Sequence, residues 1–235
     1  MKTSFCWRIG LILGGGLLLV GCGAPVAETE RMYDVTFARP FPEQAGDKAS
    51  FPVRYQGEYA ATDSSASLCI GPTAVWRQEL RRETAHVTRQ QLDSLRAFVS
   101  HDSTYRDLSG QAHSLRILAS GSVRDSWLRR DTIFTLTGAK AGRLRKFQGR
   151  YYLNTPAEDK ESCKVQRLEI KGRRLNWQTL GQDTLRLRAL DAASVHTQRN
   201  SGFSLFQLKP ARGQQTRRMG DYAGLWETAG NFVRR

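Results

Sequence analysis

Residues 165–177 read VQRLEIKGRRLNW, and their pattern decides the class of fold. Apolar and polar residues alternate on both sides of Gly172, and glycine is favoured in tight turns. Residues 115–127, LRILASGSVRDSW, are equal in length and have Gly121 near the middle. Each stretch predicts a β-hairpin, and their likeness indicates two related β-modules.

The same alternation of apolar and polar residues recurs along the chain from Phe51 onward. It gives a strand one face toward a core and one toward water, as in antiparallel sheets. After each hairpin an Asp-Thr pair, beginning at Asp131 and Asp183, is expected to open another strand. The alternating stretches are 51–55, 114–118, 132–136, 185–187 and 203–208.

One segment has a helical pattern instead. Thr88 to Gln91 forms a capping box, and Leu92, Leu95, Phe98 and Val99 follow at helical spacing. We therefore predict a mainly β fold, with antiparallel sheets or a barrel built from two related β-modules and one short helix near residues 89–100. The expected modules are 51–138, which contains the helix as an insertion, and 139–208, followed by a basic C-terminal segment, 209–235.

The N-terminus has the order of a secretory signal. Lys2 and Arg8 precede the apolar run Ile9–Val20, and small residues follow it. A membrane-spanning helix needs about 20 apolar residues, and this run is shorter and contains several glycines. The segment is therefore expected to direct export rather than to span the membrane.

Leu19-Val20-Gly21-Cys22 resembles the lipobox of bacterial lipoproteins. The resemblance implies that residues 1–21 are a lipoprotein signal peptide and that Cys22 is acylated, so that the chain is anchored to the membrane by covalent lipid. Gly23 replaces the Asp that marks inner-membrane retention in some bacteria, which favours the outer membrane. Residues 22–50, with several prolines, are expected to be a tether, within which the brief alternation of Tyr33–Phe37 offers a short strand that docks onto the body.

Two stretches of the body also resemble a group of proteins. Phe147–Asn154 and Cys163–Leu175 are similar to segments of uncharacterised, mainly-β envelope lipoproteins. This resemblance implies a location and a fold class, and it implies no activity.

The chain is strongly basic. Without residues 1–21, 34 Lys and Arg face 22 Asp and Glu, a net charge of +12. Export argues against nucleic acid as the partner, so the expected partners are an anionic envelope polymer or an envelope protein. The alternative is a general bias of composition, because 28 of the 36 basic residues are arginines spread along the chain.

Two cysteines remain for disulfide chemistry. Cys6 lies in the signal peptide and Cys22 is assigned to the lipid, which leaves Cys69 and Cys163. In an oxidising compartment they are candidates for one bridge, which would stabilise the fold by about 4 to 5 kcal/mol in the chain-entropy model. Two separately buried thiols are the alternative.

No motif predicts a catalytic residue, a metal site or a cofactor. Gly-x-Ser-x-Gly and Ser-x-x-Lys are absent from the chain after Cys22. The acidic group Glu158, Asp159 and Glu161 has the setting of a solvated turn. The histidines are far apart in sequence and make no metal-binding motif; they are His86, His101, His113 and His196.

Three classes of function are compatible with this sequence. The first is a non-enzymatic binding or structural module of the envelope. The second is a carrier of a small apolar ligand in a lipocalin-like β-barrel, with an open cavity lined by Phe134, Trp127 or Trp177. The third is a hydrolase of envelope polysaccharides, which needs two carboxylates facing each other across a cleft.

Overall fold

The computed structural model describes residues 32–63, 66–98, 102–107, 109–159, 161–190, 195–200, 203–209 and 213–235. Over these residues the fold is mainly β, which confirms the prediction, and 15 strands join in one sheet. The strands are β1 (Met32–Phe37), β2 (Asp47–Lys48), β3 (Gly57–Ala61), β4 (Ala66–Ile70), β5 (Ala74–His86), β6 (Asp102–Arg106), β7 (Ala112–Ile117), β8 (Ser122–Thr135), β9 (Arg143–Phe147), β10 (Arg150–Pro156), β11 (Cys163–Lys171), β12 (Arg174–Leu180), β13 (Val195–Asn200), β14 (Phe203–Leu208) and β15 (Trp226–Arg234).

The described residues also form three α-helices: α1 (Arg89–Phe98), α2 (Thr184–Ala189) and α3 (Gln214–Asp221). The first is the predicted helix. Its capping box is formed: the Thr88 N–H donates to Gln91 Oε1 at 2.9 Å, and the Gln91 N–H donates to Thr88 Oγ1 at 3.3 Å. Val99, the last apolar residue of the predicted helix, lies outside the described residues.

The strand predicted after Asp183 is wrong, because this segment is helix α2. The Asp183 side chain accepts from the N–H groups of Leu185 and Arg186, which is N-cap geometry. Leu187 and Leu190 are buried, whereas Leu185 is 76% exposed. Leu187 and Leu190 are three residues apart, a spacing that places both on one side of a helical turn. The brief alternation of Leu and Arg in this segment therefore belongs to a short helix and not to a strand.

The sheet curls, so that strands distant in its order line the same core. Its order is β13-β14-β1-β11-β12-β15-β3-β4-β5-β8-β7-β6, and β10 lies between β11 and β9, with β2 beside β9. The Gly142 N–H donates to the Thr135 carbonyl, which ties the end of β8 to the start of β9. Only β1 and β14, among the described strands, pair in parallel.

The first core fills this curl with large side chains. Phe51 and Phe134 meet edge to face, with 6.4 Å between ring centroids. Tyr59 and Leu68 have no accessible surface. The buried members are Phe51, Tyr59, Leu68, Ile70, Val75, Phe134, Leu144, Tyr151, Leu153, Leu168, Ile170, Leu175 and Phe232.

A second core includes residues that the sequence assigned to the tether. Phe37 and Phe41 are 0% and 1% exposed, and Met32–Phe37 is strand β1. Buried Asn154 fixes this segment, because it accepts from the Phe41 N–H at 2.6 Å and donates to the Phe41 carbonyl at 2.9 Å. The packed unit therefore begins at Met32, and residues 32–50 are part of the body rather than a tether.

The predicted module boundaries at 138 and 208 do not divide the fold. Residues 32–235 form one compact unit. Strand β15, from the predicted C-terminal segment, pairs with β12 on one side and with β3 on the other. The C-terminal segment therefore joins the two predicted modules into one sheet.

Both predicted hairpins are present, but their turns differ. β11 and β12 pair through Lys171 and Arg174, which leaves a two-residue turn with Gly172 at a φ of 59°. β7 and β8 turn through a longer loop, in which the Leu118 N–H donates to the Ser122 carbonyl and Gly121 has a φ of 79°. The two hairpins are therefore equal in sequence length but differ in turn length and in the register of their strands.

A buried arginine ties helix α3 to the second core. Arg167 is 5% exposed and donates to the Gly220 carbonyl near the end of α3. It also donates to Gln178 Oε1 at 2.7 Å and lies 4.5 Å from the ring centroid of Trp226. Burial lowers the pKa of Arg167, and these contacts offset the loss of water around the guanidinium group.

The predicted disulfide is not formed. Cys69 in β4 and Cys163 in β11 are both free thiols. β3, β15 and β12 lie between their strands, whereas a disulfide needs Cα atoms within about 7 Å. Burial raises the pKa of both thiols. The alternative of two separate thiols is the one observed.

Candidate binding surface

Four strands extend beyond the first core as an arm. Glu79 is the last residue of β5 that pairs with β4, and from Leu80 to His86 this strand pairs with β8 alone. β8 then pairs with β7, and β7 with β6. We use "arm" for Leu80–His86, Ser122–Leu128, β6 and β7.

The register divides the side chains of β5, β7 and β8 between two faces. Leu80 pairs with Leu128 on one face, and the next pair, Arg81 with Trp127, lies on the other. The cationic face is defined by Leu80, Arg82, Arg116, Arg124, Leu128 and Arg130. The paired face is defined by Arg77, Glu79, Arg81, Glu83, His113, Asp125, Trp127, Arg129 and Asp131.

The cationic face receives no carboxylate from β5, β7 or β8. Its four arginines come from all three strands, and Arg116 lies directly opposite Arg124. Like charges in this position repel each other. Edge strand β6 adds one acidic and one basic position, Asp102 opposite Arg116 and Arg106 opposite Ala112.

Apolar side chains lie among these arginines. Leu80 and Leu128 are cross-strand partners, 40% and 42% exposed. Arg130 lies over the ring of Trp76, 5.2 Å from its centroid, at the end of the face nearest the first core. The face therefore combines a pair of exposed leucines with fixed guanidinium groups.

The paired face has the opposite arrangement, because its charges are matched. Its three arginines face four carboxylates on the same strands. Arg81 contacts Glu79 at 3.1 Å, Arg77 contacts the same carboxylate at 3.7 Å, and Arg129 contacts Asp131 at 3.0 Å. This matching contrasts with the excess of arginine on the opposite face of the same strands.

His113 is the centre of the most connected group on the paired face. Its ring stacks on that of Trp127 in β8, with 5.0 Å between centroids. The ring of Tyr105, in β6 on the other side of β7, has its centroid 4.9 Å from that of His113. Asp125 Oδ2 contacts His113 Nδ1 at 2.9 Å and accepts from the Tyr105 hydroxyl at 2.9 Å. The Asp125 carboxylate thus holds both rings in position.

The sequence did not single out either face of the arm. The arginines of the cationic face are distributed over residues 82–130, and alternation alone does not tell which arginines share a face. Only the pairing of β5 with β8 and of β8 with β7 brings Arg82, Arg116 and Arg124 to one surface. A register prediction for these strands would have found it.

The predicted acidic group lies in a turn. The Asp159 side chain accepts from the N–H groups of Glu161 and Ser162, at 3.0 and 2.9 Å. The Ser162 N–H is the main reason that the pKa of Asp159 lies below its ordinary value. An open groove of about 820 Å³ nearby is lined by one carboxylate, Glu158, and by Phe134 at its base.

The other predicted sites are dispersed. Trp177 packs partly buried against the first core, and its indole N–H donates to Gln166 at 3.1 Å. His86 contacts Ser122 on the arm at 3.0 Å. His113 belongs to the paired face. Cys22, Cys6 and His101 lie outside the described residues, as does the apolar run 9–20.

Neither a candidate metal site nor a membrane-spanning helix is found in the described ranges. No group of three or more His, Cys, Asp or Glu side chains that could hold a metal ion is found in them. No helix in them has both the length and the apolar character needed to cross a membrane.

Comparison of the chain with protein-family models, curated proteins and solved structures finds no match. Any function assigned to it therefore rests on its own residues.

Proposed function

We propose that this protein is a lipid-anchored, non-enzymatic binding module of the bacterial cell envelope, and that the cationic face is its binding surface. The observation that supports this is the segregation of charge. β5, β7 and β8 give four arginines and no carboxylate to one face, and four carboxylates to the other. Such a sheet offers a fixed cluster of positive charge to an anionic partner.

General basic composition does not account for the segregation. A bias toward arginine would raise the number of arginines on both faces, and it would not remove carboxylates from one. The two faces belong to the same strands and differ only in the parity of their residues. The difference between them supports a role for the face itself.

The pair of Arg116 and Arg124 supports the same conclusion energetically. Opposed like charges on adjacent strands cost up to about 1 kcal/mol in the unbound protein, which Asp102 on β6, opposite Arg116, offsets in part. A phosphate or carboxylate between the two guanidinium groups would remove this repulsion and accept charge-assisted hydrogen bonds from both. The face is therefore better suited to an anionic ligand than to water alone.

The anchor in this proposal is the lipid on Cys22. Each buried methylene adds about 0.8 kcal/mol, and more than one acyl chain makes attachment stable. Between Cys22 and Met32 lie nine residues, 23–31, which span at most about 30 Å when extended. The lipid would hold the body within this distance of the membrane. The outer membrane is favoured over the inner one because Gly23, and not Asp, follows the cysteine.

The packing of the body favours a surface over an internal site. Phe134, one proposed lining residue of a carrier cavity, is 1% exposed and in contact with Phe51, so it gives almost no surface to the open groove beside Glu158. Trp127 stacks on His113 in the arm. Glu83 and Asp125 are direct cross-strand partners on the adjacent strands β5 and β8, whereas a glycoside hydrolase needs its two carboxylates on opposite sides of a cleft.

Binding to a soluble envelope anion tests this function. The probe is deacylated lipopolysaccharide, a phosphorylated saccharide without acyl chains, and the full chain is titrated at several salt concentrations. Arg116→Gln with Arg124→Gln should weaken binding about tenfold, which is about 1.4 kcal/mol, and binding by the unchanged protein should weaken as salt is raised.

A matched control removes the same charge from the other face. Arg81→Gln with Arg129→Gln takes two arginines from ion pairs with Glu79 and Asp131. This variant should bind the probe within about twofold of the original protein. Equal losses for both variants would show that net charge, and not the cationic face, determines binding.

The anchor has a separate test. Cys22→Ala should abolish incorporation of labelled fatty acid in cells, whereas Cys69→Ala, a change at a buried thiol, should retain it. Label on the Cys22→Ala chain would refute the anchor without affecting the cationic face.

A further inference from the structure

We infer that the partner of the cationic face is the anionic phospholipid surface of the membrane, so that the arm is a second, non-covalent membrane contact. This inference rests on the proposed function and names the ligand of the same face. The shared chemistry is phosphate, which lipid headgroups and soluble envelope polymers both offer. Three features of the face distinguish the two.

The first feature is the exposed leucine pair. Leu80 and Leu128 lie side by side at the middle of the face, between the cross-strand pair containing Arg82 and the one containing Arg130. A soluble polyanion is hydrated and gains nothing from contact with leucine. A bilayer accepts apolar side chains between its headgroups, which removes them from water.

The second feature is the distribution of the arginines around this pair. Along β8, Arg124 and Arg130 lie on either side of Leu128, six residue positions apart, which is about 20 Å along a strand. Arg82 and Arg116 add charges on the neighbouring strands. Long basic side chains around an apolar centre can reach phosphates while their stems follow the leucines into the interface.

The third feature is that the cationic face is formed by side chains of three adjacent strands, β5, β8 and β7. The face is one surface of paired β-strands, and it meets a broad layer of headgroups over its full area. The paired face of the same strands has Glu83 and Asp125 side by side, so an anionic membrane would repel it there. The charge of the two faces therefore fixes which one turns toward the lipid.

Side-chain footprinting on vesicles tests this contact. The full chain, purified from membranes, is incorporated in vesicles of phosphatidylglycerol with phosphatidylethanolamine, or of phosphatidylcholine alone, and exposed to hydroxyl radicals. On the anionic vesicles, oxidation of Leu80 and Leu128 should fall at least threefold. Leu185, which is 76% exposed on α2, and Tyr105, next to His113, serve as internal controls and should remain unchanged.

Two variants connect the protection to the face. Arg116→Gln with Arg124→Gln should restore oxidation of both leucines on anionic vesicles, and Arg81→Gln with Arg129→Gln should not. Leu80→Ser with Leu128→Ser should leave the affinity for deacylated lipopolysaccharide within twofold of the original value. A large loss of that affinity would overturn the inference, because the leucines would then serve a soluble ligand.

The outcomes separate the two proposals. Unprotected leucines on anionic vesicles, together with arginine-dependent binding of deacylated lipopolysaccharide, would overturn the membrane contact and leave the binding function in place. Equal protection on phosphatidylcholine would also overturn it, since the contact would not depend on anionic lipid. If neither probe distinguishes the two double-arginine variants, both proposals fail.

Discussion

The two hairpins of equal length, 115–127 and 165–177, have the same kind of backbone and opposite surroundings. In β11 and β12 the inward side chains Leu168 and Leu175 are 0% and 1% exposed. In β7 and β8, which form the arm, Val123 is 6% exposed, Leu115 and Ile117 are half-buried, and Leu128, the residue after this hairpin, is 42% exposed. The comparison shows that alternation specifies a strand with two unlike faces, whereas the neighbouring strands decide whether one of those faces becomes a core.

The largest expected difference is between two leucines. Leu168→Ala should lower the free energy of unfolding by about 3 kcal/mol, because it leaves a cavity in the first core. For a chain of this size the melting temperature should fall roughly 6 to 12 °C. Leu128→Ala on the arm should change the stability by less than about 0.5 kcal/mol. Urea unfolding measures both, and similar losses would contradict the contrast between the hairpins.

A second difference concerns arginines. Arg167→Met should cost about 2 kcal/mol, because the Gly220 carbonyl and Gln178 lose a charged donor. Arg116→Met should change stability by less than a few tenths of a kcal/mol, because relief of the repulsion with Arg124 is offset by loss of the pairing with Asp102 on β6. Thermal unfolding of both variants is the measurement. A larger loss on Arg116→Met would mean that this arginine is fully compensated within the protein.

A smaller effect is expected at the turn of the buried hairpin. Gly172 has a φ of 59°, and a Cβ added there would meet no atom within 4 Å. Gly172→Ala should therefore cost only the backbone term, about 1 kcal/mol, and Gly172→Asn should cost less because Asn tolerates this conformation. If both substitutions cost the same in urea unfolding, the turn is not in the left-handed region.

The smallest effects concern the turns that precede the hairpins, where Asp159 and Asp107 each accept hydrogen bonds. The pKa of Asp159 is lowered chiefly by the Ser162 N–H, and that of Asp107 chiefly by the Ser109 hydroxyl. Because both pKa values are lower in the folded state, their stabilisation is complete above about pH 4. It is lost as the pH falls through the lowered values.

Substitution by asparagine should remove this dependence. Both side chains are exposed, so Asp159→Asn or Asp107→Asn should lower the melting temperature by only about 1 °C at pH 6. The difference from the original protein should vanish near pH 2. Glu161→Gln removes the same charge from the Asp159 turn and is the control. A difference that grows on acidification would have the wrong sign for a lowered pKa.

Most of the strands and α1 could be predicted because their signals are local, but the strand expected at 51–55 is wrong, since Val53–Tyr55 is a turn of 3-10 helix. Alternation and the Thr88–Gln91 capping box depend on residues close in sequence, and both are formed. Helix α2 was missed although Asp183 is a good N-cap residue. Leu185 and Leu187 in the helix and Leu190 at its C-cap are compatible with either period, and only the packing of Leu187 and Leu190 decides between them.

Predictions that needed distances across the sheet were less successful. The pairing of Cys69 with Cys163 rested on elimination among the cysteines, and three strands lie between them. The cationic face depends on register in the same way, because Arg82 and Arg124 share it only after β5 pairs with β8. Neither relation is present in a chain considered one segment at a time.

The position of β15 has a consequence for how the fold is completed. Phe232 pairs with Ala61, 171 residues earlier, and the same strand pairs with β12. Until residue 234 is available, β3 and β12 each lack a neighbour and the first core lacks Phe232. Closure across so long a loop is slow, so under the export proposed above the chain would remain unfolded until this strand has arrived, and folding would follow translocation rather than compete with it.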